Sequence, residues 1–295
     1  PVGIDMGLER VSKVAKRMRL LSSPIAPRVI TVAGTNGKGS TLAMIESIAR
    51  AHGWRVGTYT SPHLLRYNER VKIDGEEAED QLLVEGFEHV ERARLQDEEI
   101  SLTYFEAGTL CGLWCLANAE LDLAVLEVGL GGRLDAVNII DADVAIVTTI
   151  AQDHANFLGT DLAQIGREKA GIFRAGKPAV LGSHALPVSV SECAQSLAAP
   201  KFAIGQQFTH QTMGEEHSNW RWQGQQADGT SIVVDELPDP GLPIDNAATA
   251  LQALVLAGMA LVPAHVKVGL ATVQLAGRLQ WIGPWCLDVG HNPHA

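Results

Sequence analysis

Val29-Ile30-Thr31-Val32-Ala33-Gly34-Thr35-Asn36-Gly37-Lys38-Gly39-Ser40-Thr41 joins a buried-strand pattern directly to a glycine-rich loop that carries one lysine and several hydroxyl groups. Such a loop is a phosphate cradle. The β-prone residues lead the chain out of a sheet, the glycines let backbone N–H groups turn inward on an anion, and the following helix presents its positive end to that anion. Lys38 is placed to reach the β- and γ-phosphates of a nucleotide, with Ser40 or Thr41 near a magnesium ion. An ordinary Gly-rich strand-to-helix turn is the competing reading. The order strand, loop, lysine, helix favours phosphate.

Outward from the loop, apolar runs alternate with amphipathic stretches. Trp54 to Thr60 is a second strand, and Leu121 to Val128 and Asp143 to Ile150 are continuous apolar runs of the kind buried on both faces of a parallel sheet. Pro178 to Gly182 is another short strand. Helices are expected over Leu8 to Leu21, Ser40 to His52, Ala78 to Arg94, Thr103 to Ala119, Leu162 to Ala170, Ile244 to Ala260 and Ala264 to Gln274. This alternation predicts an α/β fold: a P-loop-type, doubly wound, mostly parallel sheet. From Lys201 to Glu236 short polar segments bearing aromatics, punctuated by Gly and Asp, predict an appended small antiparallel β region.

The 295 residues are 46% hydrophobic and 19% charged, enough to bury a substantial core. A net charge of −11 argues against nucleic acid and anionic membrane as partners. Cys111, Cys115, Cys193 and Cys286 form no C-x-x-C or zinc-type spacing, which fits free thiols in a reducing, cytoplasmic setting. No apolar run reaches the roughly 18 residues needed to span a bilayer, the run Ala250 to Val262 being broken by Gln252 and Gly258. No signal peptide is visible. The chain opens at Pro1 and stops just after Asp288-Val289-Gly290-His291-Asn292-Pro293-His294, the apparent start of a new strand and loop, so a piece of a longer protein is expected.

In a parallel α/β sheet ligands sit beyond the carboxyl ends of the strands. The residues there are Ser61-Pro62-His63, Glu127 with the following Val128-Gly129-Leu130-Gly131-Gly132-Arg133-Leu134-Asp135, Asp153-His154, and Arg167-Glu168-Lys169-Ala170-Gly171. Glu127 lies between Leu126 and Val128 in an apolar strand, where a bare carboxylate is costly to bury. A hydroxyl, a carboxylate and an imidazole from Ser61, Glu127 and His154 make a site suited to magnesium on ATP phosphates. The alternative pairs Glu127 with Arg133 and leaves His154 hydrogen-bonded in a loop.

The loop departs from the strict Walker pattern by placing Gly39 between Lys38 and Ser40. In this it resembles the nucleotide loop of ATP-dependent amide-forming ligases. The strings S-P-H-L-x-R-Y-N-E-R-V (61–71), S-L-T-Y-F-E (101–106), L-E-V-G-L-G-G-R-L-D-A-x-N (126–138) and G-R-E-K-A-G-I-F (166–173) resemble the folylpolyglutamate synthase family, including its bifunctional bacterial members that are also dihydrofolate synthases, within the Mur ligase superfamily.

The resemblance implies an ATP-dependent ligase of folate biosynthesis and one-carbon metabolism. It implies that Gly34, Thr35, Asn36, Gly37, Lys38, Gly39 and Ser40 hold ATP, helped by Asn246, Arg278 and Asp288. Ser61, Glu127 and His154 are then magnesium ligands, with a second magnesium and a monovalent cation as further candidates. Lys169 matches a lysine that the family carries as a carbamate; with Lys38 and His154 it forms the catalytic set. Thr103, Tyr104, Phe105 and Glu106, together with Asp135 and Ala136, fall on the pterin site. The implied chemistry is phosphorylation of a dihydropteroate or folate carboxylate, followed by attack of L-glutamate's amine on the acyl phosphate. Asn156, where the family commonly has an acidic residue, and Gly290, in place of alanine, depart from the pattern.

The implied organisation is an ATP-binding, Mur-ligase-like central domain over 1–283, then a linker and the start of a C-terminal, Rossmann-like glutamate-ligase domain over 284–295. A monomer is implied. Muramyl ligases share the loop but carry an N-terminal domain for a UDP-sugar, whereas about 28 residues precede the strand here. A catalytically silent nucleotide-binding module and a simple ATPase are the remaining alternatives.

Overall fold

A computed structural model describes residues 7–152, 160–213, 219–277 and 280–288. Its centre is an eight-stranded sheet. In chain order the strands are β1 (Val29–Ala33), β2 (Val56–Tyr59), β3 (Val71–Ile73), β4 (Glu76–Glu77), β5 (Leu123–Glu127), β6 (Val144–Val147), β7 (Ala179–Leu181) and β8 (Lys201–Ala203). Their spatial order is β4-β3-β2-β5-β1-β6-β7-β8. All pairs from β2 to β8 across the sheet are parallel; β3 and β4 add an antiparallel edge.

Both faces of this sheet are covered, which explains why its strands are apolar without interruption. Ile30, Val32, Leu123 and Val125 point into one core, shared with α2 (Lys38–Ala51), α7 (Ile244–Leu256) and α8 (Pro263–Thr272). Ala124 and Leu126 point to the opposite face, into a core with α1 (Glu9–Arg17), α3 (Asp80–Leu95) and α4 (Tyr104–Ala117). Beyond them α5 (Leu162–Ala170) and α6 (Val188–Ser196) cover β6 and β7. The period-two alternation along each strand sorts side chains between these layers. α2 and α8 cross closely: a Cβ on Gly269 would lie 2.9 Å from the backbone nitrogen of Ile48.

A separate antiparallel sheet of β9 (Thr209–Met213), β10 (Asn219–Gln225) and β11 (Ser231–Pro238) packs on α7, with Trp220 and Trp222 buried between. A last hairpin joins β12 (Gln280–Ile282) to β13 (Trp285–Leu287). It straddles position 283.

The predicted doubly wound sheet and appended antiparallel region are both present, with one correction. Lys201–Ala203 pairs in parallel with β7 and extends the main sheet; the antiparallel region begins only at Thr209. The β3–β4 hairpin went unread although Asp74-Gly75 supplies its signal. Both residues have positive φ, 53° and 83°, as a two-residue hairpin turn requires. The helix α6 also went unread, because Val188, Ser189, Val190 and Ser191 are poor helix formers and packing decides their state.

Glu46, midway along α2, is buried and its Oε1 has no hydrogen-bond partner among the described residues. Burial pushes its carboxyl pKa up, against the charges of Lys72 and Arg50. The folded chain therefore holds this proton more tightly than the unfolded one. Glu46's contribution is most favourable below the ordinary carboxylate value and falls as pH rises through the window above it. Glu46→Gln is expected to raise the thermal midpoint at pH 7 by about 2–4 °C, and to give no gain near pH 4, as scanning calorimetry at both values would show.

Candidate active site

The phosphate-type loop leaves β1 at the middle of the sheet, between β5 and β6. It is held by the segment after β6. Thr35 N donates to Thr149 O (2.8 Å), Asn36 N to Thr149 Oγ1 (2.9 Å), and Thr148 Oγ1 to Asn36 O (2.7 Å). Thr35 Oγ1 donates to Ala151 O and accepts from Ala151 N. Thr148 and Thr149 are thus anchors that sequence reasoning missed, since neither belongs to a loop motif. At the loop's end Gly37 takes φ 83°, and a Cβ there would sit 2.9 Å from the amide nitrogen of Asn246. Both demands select glycine.

The helix that follows has no side-chain cap and no acidic residue in its first turn. Its positive end is left for an external anion. Two lysines share the same address. Lys38 Nζ donates to Gly34 O (2.9 Å) and Thr35 O (3.2 Å), and Lys169 Nζ, from α5, donates to Gly34 O (3.0 Å). Lys169 is only 6% exposed. Two ammonium groups on one carbonyl oxygen repel each other, and a polyphosphate lying against them would offset that cost. The residues present therefore fit a nucleoside triphosphate.

Lys169 is placed by the glycine-rich turn after β5. A Cβ on Gly132 would fall 2.7 Å from Glu168 O and 2.8 Å from Lys169 O, so only glycine allows this approach. Arg133 N donates to Glu168 O (2.8 Å), and the Arg133 guanidinium donates to Glu168 Oε1 (2.9 and 3.0 Å). Arg133 thus pairs with Glu168, and the alternative Glu127–Arg133 pair is not the arrangement adopted.

Glu127 ends β5 in register with Val32 of β1, 6% exposed, and its Oε2 accepts from Ser61 N (3.0 Å). Ser61 follows β2 and precedes a cis Pro62. A carboxylate and a hydroxyl-bearing residue are therefore together beside the loop. His154, the third predicted ligand, lies outside the described residues, as do Asn156 and Gly290. Hard oxygen donors, few in number, fit magnesium, which keeps waters and substrate phosphates in its shell. Ser40 is the hydroxyl that faces the loop: its Oγ donates to Gly37 O (3.2 Å) and accepts from Asn246 Nδ2 (2.8 Å). Thr41 is fully buried. Asp288 is exposed just past β13, and Arg278 lies outside the described residues.

On the other side of Gly129 lie the residues expected at an acceptor site. The Phe105 ring closes on Gly129, where a Cβ would lie 2.6 Å from Cζ. Thr103 and Glu106 form a capping box at the start of α4: Glu106 N donates to Thr103 Oγ1 (3.1 Å) and Thr103 N to Glu106 Oε2 (2.8 Å). Arg10 donates to Glu106 Oε1 (3.0 Å). Tyr104 is 62% exposed, while Ala136 is buried. Arg70, which sequence reasoning passed over, is buried beneath the rings of Tyr67 and Tyr104 and donates to His63 Nδ1 (2.8 Å).

Asp135 is buried and receives three backbone N–H groups, from Gly129 (3.0 Å) and Leu130 (2.9 Å) on Oδ2 and Val137 (3.0 Å) on Oδ1. Burial pushes its pKa up to about 6, against those donors and the charge of Lys38. Its pH-linked contribution to stability falls as pH rises from the unfolded value to about 6 and is level above. At pH 7 the carboxylate shapes the turn. Asp135→Asn turns one acceptor into a donor facing N–H groups and is expected to cost about 1–3 kcal/mol at pH 7, measurable by denaturant titration.

A model of the Mur ligase middle domain matches residues 32–234. The dihydrofolate synthase/folylpolyglutamate synthase of Escherichia coli is 47% identical over 295 residues, covering 99% of this chain and 67% of the relative. The solved structure of E. coli FolC in complex with DHPP and ADP aligns with a TM-score of 0.91 at 47% identity, over 99% of this chain and 68% of that one. The bifunctional folylpolyglutamate synthase/dihydrofolate synthase of Yersinia pestis, complexed with AMPPNP and a Mn ion, aligns with a TM-score of 0.90 at 46% identity, over 99% and 68%. No helix among the described residues is long and apolar enough to cross a membrane.

Proposed function

Because the chain belongs to the dihydrofolate synthase/folylpolyglutamate synthase family and carries the Mur ligase middle domain, we propose that it serves the ATP-dependent ligation of L-glutamate to dihydropteroate and to folate glutamates. The observation that carries this reading is the convergence of Lys38 and Lys169 on Gly34 O at the uncapped start of α2. Muramyl ligases share that nucleotide loop, whereas the strings that carry Phe105 and Asp135, whose side chains meet at Gly129, are those of the folate resemblance.

In this reading Gly34 to Ser40 cradle the phosphates and Asn246 holds Ser40 in place. Lys38 offsets the charge that develops on the transferring phosphoryl group. Glu127, Ser61 and His154 hold magnesium, which when bound supplies further positive charge to the phosphates. Asp288 and Arg278 complete the nucleotide site, with Phe105, Thr103, Tyr104, Glu106, Asp135 and Ala136 around the pterin. Carbamylation of Lys169, by addition of CO2 with loss of protons to solvent, would turn the second ammonium into a neutral N–H that can still donate to Gly34 O, removing a like-charge contact, and would carry beyond it a carboxylate as an anionic ligand for a second divalent or a monovalent cation.

In this reading residues 1–283 are the ATP-binding central domain and 284–295 the linker and start of a C-terminal glutamate-ligase domain, with the β12–β13 hairpin pairing across that boundary. The net charge of −11 disfavours nucleic acid and anionic membrane, and a cytoplasmic monomer fits a chain acting on small molecules. The test is phosphate release from ATP with and without acceptor acid and L-glutamate. Release that needs dihydropteroate and rises with L-glutamate supports the ligase; release with neither present identifies a simple ATPase and overturns it.

A further inference from the structure

The antiparallel sheet has no part in the chemistry above, yet it is tied to the nucleotide loop through α7. Trp222 Nε1 donates to Ala248 O (3.1 Å), and Gln252 bonds both ways to the backbone of Gln225, donating to O (2.7 Å) and accepting from N (3.1 Å). These contacts hold the middle of the helix. At its first turn, His210 of β9 donates from Nε2 to Asp245 Oδ1 (2.6 Å), its ring edge-on to the buried Trp220. The next residue, Asn246, donates to Ser40 Oγ and abuts Gly37. The path from β9 to the phosphate loop is thus one hydrogen bond, one peptide step and a second hydrogen bond.

We propose that His210 and Asp245 are positioning residues for nucleotide binding: the pair clamps the first turn of α7 so that Asn246 fixes Ser40 and Gly37. This rests on the nucleotide reading of the loop. The geometry favours a directed role over incidental contact. Asn246 is buried and fills the space that glycine leaves at position 37, so displacement of α7's first turn moves the loop directly. Asp245 is held below the ordinary carboxylate range chiefly by the His210 hydrogen bond, against partial burial, with His184 after β7 adding to the effect. The ionised carboxylate of Asp245 is thereby the form the fold selects, as the acceptor of the His210 N–H.

The test is calorimetric titration with Mg-ADP of the wild-type chain, His210→Ala, His210→Gln, Asp245→Ala and the double alanine variant. His210→Ala is expected to weaken binding about fivefold, and His210→Gln, whose amide nitrogen can donate to Asp245, to return to within about twofold of wild type. The double variant should bind no more weakly than either single one. Wild-type affinity in His210→Ala would overturn the clamp while leaving the nucleotide site intact. A glutamine variant as weak as alanine would assign the effect to ring packing on Trp220, and additive losses would break the path at Asp245; either overturns the proposal. Failure of the wild-type chain to bind Mg-ADP would overturn both this proposal and the reading beneath it.

Discussion

Lys38→Ala is expected to weaken Mg-ATP binding by about two orders of magnitude or more while leaving the fold in place. Lys38 spans the loop it belongs to, donating to Gly34 O and Thr35 O. A triphosphate offers that ammonium an anionic acceptor, and charge-assisted bonds of this kind contribute about 1.5–3 kcal/mol each, with more where water is excluded. A loss of about 3 kcal/mol is roughly a hundredfold in affinity. Gly34 O keeps the Lys169 bond in the variant, and Thr35 O, which loses only the longer 3.2 Å bond, can take a water in the space the side chain vacates. The thermal midpoint without nucleotide should therefore stay within about 2 °C, and only the ligand-induced rise should disappear. Unchanged ATP affinity would mean that the loop is not a phosphate cradle.

The second large effect is expected at Glu127. Glu127→Gln conserves volume and leaves a carbonyl oxygen to accept from Ser61 N, but removes the charge at the end of β5. Magnesium should tighten ATP binding by about a hundredfold in the wild-type chain and by less than about threefold in the variant, since a neutral amide is a poor ligand for a hard divalent cation. Stability should not fall, because a buried carboxylate costs more to desolvate than an amide. Titrations with ATP in magnesium and in chelator, for both proteins, give the comparison. A variant that keeps the full magnesium enhancement would remove Glu127 from the metal site.

Much of this site was legible because strand periodicity and loop chemistry are local. The run into Gly34, the lysine at 38 and an acidic residue inside an apolar strand each announce themselves over a dozen residues. What stayed hidden is long-range. Thr35 is anchored by Ala151, 116 positions away, and neither residue signals that partner. Arg133 was weighed against Glu127, six residues before it, whereas its partner is Glu168 on α5. Lys201–Ala203 is too short to declare parallel or antiparallel pairing; its place beside β7 follows from α6 packing beneath it. One signal was present and unread. Thr103-x-x-Glu106 is a capping box in sequence, and the structure commits both side chains to it.

A nucleotide loop that serves a folate ligase must work beside a site for the folate acceptor. The most direct test is calorimetric titration of the Mg-ADP-loaded chain with dihydropteroate and, separately, with a UDP-muramoyl precursor. Saturable heat from dihydropteroate, lost in Asp135→Asn, with none from the UDP-muramoyl compound, is the predicted result; binding of the UDP-muramoyl compound without dihydropteroate would contradict it.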